Sequence, residues 1–203
     1  MTSQRVALID DQEDVREAMG EMLRVFGYQI SAFESAQNFL AAGAQGWGCI
    51  ISDVRMPNMD GMEFLRHLKE VQSKSPIILI SGHADVPMAV EALKLGAFDF
   101  IEKPVDDVKL VASINRALAR ASEELGQARA SEDLKGRFSE LTPREVEVFD
   151  LVTAGLTNHS VAEKLKISIR TVESYRAQIM DKMQADGLAK LVRQAIRLGR
   201  LAP

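Results

Sequence analysis

The sequence predicts an α/β domain with a five-stranded parallel sheet, followed by a small all-α domain of four helices. Short apolar runs alternate with amphipathic stretches between Val6 and about Leu118, and the runs are almost unbroken Ile, Val and Leu. No comparable run follows Phe138. Strands buried on both faces of a parallel sheet need such runs, and alternating β and α units place helices on both faces. The predicted first domain is therefore a doubly wound, flavodoxin-like fold.

The predicted strands contain the apolar runs at 6–9, 28–30, 49–51, 77–80 and 98–101. Amphipathic stretches between them predict helices at Val15–Phe26, Ser35–Ala41, Met62–Val71 and Met88–Leu95. A further helical pattern begins at Asp106 and runs into a polar segment that contains Gly126 and Gly136. We interpret 123–138 as a flexible linker or a helical spacer between domains at 1–122 and 139–203.

The second domain begins with a strong helix-start signal. Thr142 is a predicted N-cap, Pro143 occupies the first helical position and Glu145 completes a capping box. This helix is expected to end at Ala154-Gly155. The three later helices are expected to be capped by Thr157, Ser168 and Asp186.

Composition and charge indicate an ordinary globular chain. Hydrophobic residues make up 46% and charged residues 27%. The lone cysteine, Cys49, excludes an intramolecular disulfide and favours a reducing cytoplasm. No apolar stretch predicts a membrane span or a signal peptide, so no membrane partner is expected. The net charge of −4 divides into an acidic excess over 1–136 and a basic excess over 137–203, which suggests different partners for the two domains.

Acidic and polar side chains follow the predicted strands. Asp10 and Asp11 follow the first apolar run, Asp53 the third, Ser81 the fourth and Lys103 the fifth. Because the carboxyl ends of parallel strands share one edge, where open α/β sheets bind ligands, we expect these residues to meet. Three carboxylates at one point need a neutralising cation, and oxygen ligands favour Mg²⁺ over Zn²⁺.

This set of residues suits phosphoryl transfer to a carboxylate. Asp53 would attack phosphorus while Lys103 and the Ser81 hydroxyl bind phosphate oxygens, and Gly82 leaves room for the phosphoryl group. Each acid alone is explained as well by a strand-end cap or a solvated charge, but their shared position favours a site. An aspartyl phosphatase is the alternative. Its usual second acid, two residues after the nucleophile, is replaced here by Arg55.

The segments LIDDQEDVR, ISDVRMPNMDG and LISGHADVPMAVEALKLGAFDFIEKP closely resemble response-regulator receiver domains, especially those of the FixJ type. The resemblance implies that Asp53 accepts a phosphoryl group from a sensor histidine kinase. It also implies that Mg²⁺ is bound by Asp10, Asp11, Asp53 and the backbone carbonyl of Arg55. Lys103 would contact the phosphoryl group, and Ser81 and Phe100 would form a switch pair.

Two of the C-terminal helices are joined by a very short turn at Ile167, which fits a helix-turn-helix whose second helix enters the major groove. Val172, Ile179 and Met183 lie at helical spacing and are expected to face the core. The opposite face is expected to contact DNA, with cations mostly on phosphates. The predicted DNA-contact residues are Asn158, Ser168, Arg170, Thr171, Glu173, Ser174, Arg176, Gln178 and Lys182.

The segment LTPREVEVFDLVTAGLTNHSVAEKLKISIRTVESYRAQIMDKM resembles the four-helix DNA-binding domain of the NarL/FixJ and LuxR group. The resemblance implies a transcription factor, and not an enzyme, that binds double-stranded promoter DNA and forms a homodimer on phosphorylation. RNA polymerase is an expected partner. His159-Ser160 and Ser174-Tyr175 depart from the usual residues, so the operator sequence of relatives is not carried over. A constitutive DNA binder with a vestigial receiver is the other alternative, and the complete set of site residues argues against it.

Overall fold

The computed structural model describes residues 5–82 and 86–202, and the chain divides into two compact units, Met1–Leu125 and Gly126–Pro203. The described part of the first unit contains the strands β1 Arg5–Ile9, β2 Gln29–Phe33, β3 Cys49–Asp53, β4 Ile77–Ser81 and β5 Asp99–Glu102. They form one sheet in the order β2-β1-β3-β4-β5, and every neighbouring pair is parallel. The predicted parallel α/β fold is confirmed.

The helices that pack against this sheet are α1 Glu13–Val25, α2 Ala36–Ala41, α3 Gly61–Glu70, α4 Val86–Leu95 and α5 Asp107–Ser139. They cover both faces, to which successive strand residues point in alternation. Ala7 and Ile9 of β1 belong to one apolar layer, together with residues of α2, α3 and α4. Val6 and Leu8 belong to the other layer, together with residues of α1 and α5.

Helix α5 is 33 residues long and continues through the segment 123–138. Leu110 and Ile114, near its start, are fully buried in the core of the first unit. Leu134 and Phe138, near its end, pack in the core of the second unit. The core of the second unit therefore begins before residue 139.

The second unit contains the four helices that the sequence predicts after the linker, namely α6 Pro143–Thr153, α7 Asn158–Leu165, α8 Ile169–Lys182 and α9 Leu188–Arg197. Thr142 and Glu145 form the predicted capping box of α6. The side chains of Thr157 and Ser168 accept hydrogen bonds at the starts of α7 and α8, as predicted.

The predicted cap of α9 is wrong. Gly187 occupies the N-cap position in an extended conformation, and no side chain caps the helix there. Asp186 lies one residue too early, and its carboxylate instead lies 3.6 Å from the Lys190 ammonium. In the ranges that the structure describes, no helix combines the length and apolar character that crossing a membrane requires.

Candidate functional site

The carboxyl edge of the first unit's sheet holds two buried carboxylates that share one lysine. Asp10 directly follows β1 and Asp53 ends β3, and they are 3% and 6% exposed. Lys103, which follows β5, places its Nζ atom 2.5 Å from Asp53 Oδ1 and 2.9 Å from Asp10 Oδ2. The sheet thus brings together three predicted site residues from distant parts of the sequence.

Backbone groups orient both carboxylates. The N–H of Arg55 donates to Asp53 Oδ2 at 2.6 Å, and the N–H of Gln12 donates to Asp10 Oδ1 at 2.9 Å. Hydrogen bonds to the ionised form of a carboxylate stabilise that form. Each carboxylate is therefore held at a fixed position with one oxygen bound to Lys103.

Burial and pairing act against each other at this site. Burial raises the pKa of Asp53 above its ordinary value, although the hydrogen bond and charge of Lys103 oppose the rise. Burial alone would lower the pKa of Lys103, but hydrogen bonds to Asp53 and Asp10 outweigh burial and raise this pKa. Lys103 therefore stays charged, and its single positive charge is shared between the two carboxylates.

The structure does not gather all three predicted carboxylates. Asp11 is exposed, and no three acidic, histidine or cysteine side chains within the described ranges are close enough to form a metal site by themselves. The reason is local: Asp10 turns toward Lys103 and the sheet, whereas its neighbour Asp11 points into solvent.

Of the predicted switch residues, Ser81 lies on β4, the strand next to that of Asp53, and Phe100 lies on β5, on the far side of β4. Ser81 ends β4 and is fully buried, and its carbonyl accepts a hydrogen bond from the N–H of Lys103 at 2.8 Å. Gly82 is exposed, and a Cβ at this position would lie 4.0 Å from Cδ of Lys103. Phe100 is half-buried against the apolar layer that contains α3 and α4.

Gly61 is a site residue that the sequence analysis missed. A Cβ at this position would lie 2.6 Å from the carbonyl oxygen of Asp53 and 2.8 Å from Cα of Val54. The N–H of Gly61 donates to the Val54 carbonyl at 2.8 Å, and Asp60 caps α3 in a capping box. The signal was present in the motif NMDG, where Asp-Gly precedes an amphipathic helix. Gly61 allows the start of α3 to lie against the backbone of Asp53.

Helix α8 of the second unit has one buried and one exposed face. Val172, Ile179 and Met183 are at most 1% exposed, which confirms their predicted place in the core. The exposed residues are available for contacts outside the domain, and four of them are predicted DNA contacts: Arg170, Glu173, Ser174 and Gln178.

Four other predicted DNA contacts bind within the domain. The Ser168 hydroxyl caps α8 and lies 2.7 Å from Thr171 Oγ1. The Arg176 guanidinium donates to Asn158 Oδ1 at 2.5 Å, which joins α8 to the start of α7. These side chains therefore position the two helices.

Lys182, a further predicted DNA contact, is also bound within the domain. Its ammonium lies 2.6 Å from the carboxylate of Glu145, which is 2% exposed, and it also donates to the carbonyl of Glu140 at 3.2 Å. Lys182 follows the core residue Ile179 by three positions, so it lies at the edge of the buried face of α8 and its stem reaches inward. Its place in the structure is that of a core ion pair between α6 and α8.

Comparisons with known families match both units. Residues 6–115 match the response regulator receiver domain, and residues 139–195 match the bacterial regulatory proteins of the luxR family. The chain is 43% identical to the transcriptional regulatory protein FixJ of Bradyrhizobium diazoefficiens, with 98% of each chain covered. It is 45% identical to FixJ of Rhizobium meliloti, again with 98% of each chain covered.

Solved structures of similar proteins are also response regulators that match nearly the whole chain. The response regulator StyR is 34% identical with a TM-score of 0.84, covering 95% of this chain and 98% of StyR. Full-length FixJ from B. japonicum is 43% identical with a TM-score of 0.60, covering 99% of this chain and all of FixJ. The chain therefore belongs to the response regulators that join a receiver domain to a LuxR-family DNA-binding domain, and it is a two-component transcription regulator.

Proposed function

We propose that Asp53 is the phospho-acceptor of this regulator. A carboxylate oxygen of Asp53 attacks the phosphorus of a phosphohistidine on a sensor histidine kinase, which forms an acyl phosphate and releases the histidine. The contact of the Lys103 ammonium with Asp53 and Asp10 is the observation that carries this proposal, because it places a cation where phosphoryl oxygens would arrive. On phosphorylation, the Lys103 ammonium would exchange its contact with the Asp53 carboxylate for a contact with a phosphoryl oxygen.

The donor atoms at this edge fit Mg²⁺. Asp10 and Asp53 supply two oriented carboxylates, and the oxygen-only donor set matches a hard divalent cation. Asp11 and the backbone carbonyl of Arg55 are the further proposed ligands. When bound, Mg²⁺ would neutralise negative charge on the phosphoryl group.

Phosphate incorporation from acetyl phosphate tests this proposal. Intact-mass measurement should show one added phosphoryl group on the wild-type chain with Mg²⁺, and none on Asp53→Asn or in the presence of EDTA. Lys103→Gln should slow incorporation while leaving the acceptor in place. Equal incorporation by the wild type and Asp53→Asn would refute the assignment of the acceptor.

Homodimerisation on phosphorylation is the proposed response of the receiver. Helix α4 presents Val86, Val90 and Leu93, which are 77%, 43% and 50% exposed and recur at helical spacing. An apolar stripe on an exposed helix is typical of a protein contact surface. Sedimentation of the phosphorylated chain should show a dimer for the wild type and a monomer for Val90→Asp.

Val25→Asp is the matched control, because Val25 is 87% exposed on α1. It should leave the dimer intact. Loss of the dimer in both variants would contradict the proposal that α4 forms the dimer contact. A wild-type chain that incorporates phosphate and stays monomeric would favour release between domains as the response. In either case phosphorylation shifts a two-state receiver, and a nearly complete shift needs about 5.5 kcal/mol of differential stabilisation.

The output is sequence-specific binding of promoter DNA by α8, followed by contact with RNA polymerase. Among the exposed residues, Glu173, Ser174 and Gln178 are the proposed groove contacts, and Arg170 is proposed to bind phosphate. Replacing Gln178 by Ala should alter the preferred bases in a binding selection from random duplexes. An unchanged base preference would show that Gln178 is not one of the groove contacts.

A further inference from the structure

Several cations of the second unit are bound to acids of the same unit. Arg144 binds Glu147, Lys182 binds Glu145, Lys190 approaches Asp186 and Arg200 binds Asp150. Such residues stabilise the domain, and their charge is already balanced.

A second group of cations lies around the turn between α7 and α8. Lys164, Lys166 and Arg170 are all exposed, and none of them forms an ion pair with a residue in the described ranges 5–82 and 86–202. Arg193 and Arg197 on α9 are exposed as well, and Arg197 lies in the last turn of that helix, where positive charge stabilises the helix dipole.

Lys166 has the most distinctive position of the three. It is the C-cap of α7 in the left-handed conformation, with φ 54° and ψ 48°. Ser168, two residues later, caps α8. Glycine is the usual residue in the left-handed conformation at a helix end, because a Cβ is strained there.

The backbone therefore holds this lysine at the tip of the turn between the two helices. In a helix-turn-helix the first helix crosses the DNA backbone while the second enters the major groove. Free cations at that turn are in the right place to bind phosphates.

We propose that Lys166, together with Lys164 and Arg170, forms the phosphate-binding site of the DNA-binding unit. The contacts with the phosphate backbone of DNA are then made by the turn before α8, and not by Lys182 at the C-terminal end of α8. This inference rests on the DNA binding of the family, and it assigns that binding's electrostatic part to particular residues.

The salt dependence of DNA binding tests the assignment without knowledge of the operator, because phosphate contacts are sequence-independent. The affinity of the full chain, treated with acetyl phosphate and Mg²⁺, is measured for a short duplex of arbitrary sequence over a range of salt concentrations. Each lost phosphate contact lowers the slope of log affinity against log salt by about 0.9. Lys166→Gln should show this decrease, and its loss of affinity should be greatest at low salt.

Lys190→Gln is the control for charge, because it removes one cation from α9 of the same unit. Its slope should equal that of the wild type. An equal decrease in both variants would overturn the proposal, because the effect would then follow net charge and not position. An unchanged slope in Lys166→Gln would also overturn it and would make Lys166 a solvated surface charge.

Lys166→Gly and Gln184→Gly separate binding from folding. Gln184 follows α8 in the same left-handed conformation, with φ 49°, so glycine relieves the same backbone strain at either place. Both variants should keep or raise the melting temperature, and only Lys166→Gly should lower the salt slope. A wild-type chain that binds no duplex would instead overturn the DNA-binding function together with this site.

Discussion

The ion pair between Lys182 and Glu145 gives the sharpest test of how the DNA-binding unit is held together. Lys182→Met keeps most of the side-chain volume and removes the ammonium, which leaves the 2%-exposed carboxylate of Glu145 with Thr142 as its hydrogen-bond partner, whose N–H donates at 2.7 Å. Breaking a buried pair on one side costs roughly 3–5 kcal/mol. Because the Lys182 side chain is 31% exposed, we expect a loss near the lower end, about 3 kcal/mol.

The loss should depend on pH. In the wild type, burial opposes ionisation of Glu145, but Lys182 and Thr142 outweigh burial and lower its pKa below the ordinary 4.5. A lowered carboxylate pKa stabilises the fold above the ordinary pKa, and this stability is lost as pH falls through the folded value. In Lys182→Met only Thr142 still opposes burial, so the pKa of Glu145 should rise, and protonation at low pH should relieve the cost of the unpaired carboxylate. The difference between the two proteins should therefore shrink as pH falls below about 4.5.

Hydrogen exchange of the full chain measures this effect in the second unit alone. The amides of α6 and α8 should exchange faster in Lys182→Met, while fluorescence of Trp47, which lies in the first unit, should stay unchanged. The double variant Glu145→Gln with Lys182→Met removes the unpaired charge and should recover much of the loss. Wild-type protection in Lys182→Met, combined with a reduced salt slope for DNA, would refute the reasoning and restore Lys182 as a DNA contact.

Three further predictions concern single contacts. Gly61→Ala should destabilise the first unit by about 1–3 kcal/mol, because the new Cβ would press on the backbone of Asp53. Urea unfolding followed by Trp47 fluorescence measures this loss, and an unchanged midpoint would contradict the close approach. Phe149→Ala should cost about 3–5 kcal/mol in the second unit, since Phe149 is fully buried, and hydrogen exchange should show it. Arg144→Gln removes the hydrogen bond to the Leu165 carbonyl and should cost about 1 kcal/mol, with faster exchange confined to the end of α7.

The fold was predictable because its signals are local. The strands follow from apolar runs, and the capping box of Thr142 and Glu145 is written in four consecutive residues. The continuity of α5 could not be decided in this way. Gly126 and Gly136 each cost a helix only about 1 kcal/mol relative to alanine, and the packing of Leu134 and Phe138 into the second core is a tertiary contact. Such a tertiary contact is not visible in the local pattern of the segment.

The partners of charged side chains were the least predictable feature. Sequence spacing placed Lys182 on the outer side of α8, but its choice of Glu145 depends on how α6 packs against α8. Asp11 follows Asp10 directly, yet only Asp10 turns toward Lys103. A position on a helix or at a strand end fixes the direction of Cα–Cβ, whereas a long side chain selects its partner from whatever the fold brings near.

The two buried lysine–carboxylate sites differ in a way that separates structure from function. At the Glu145 site one ammonium balances one carboxylate, and backbone hydrogen bonds complete the set. At the carboxyl edge of the sheet one ammonium faces both Asp10 and Asp53, which leaves one negative charge unbalanced. Since buried charge without a partner is costly, an excess of negative charge favours the binding of a further cation. The excess beside Asp53 is therefore the physical reason to expect a divalent cation there and a purely structural pair at Glu145.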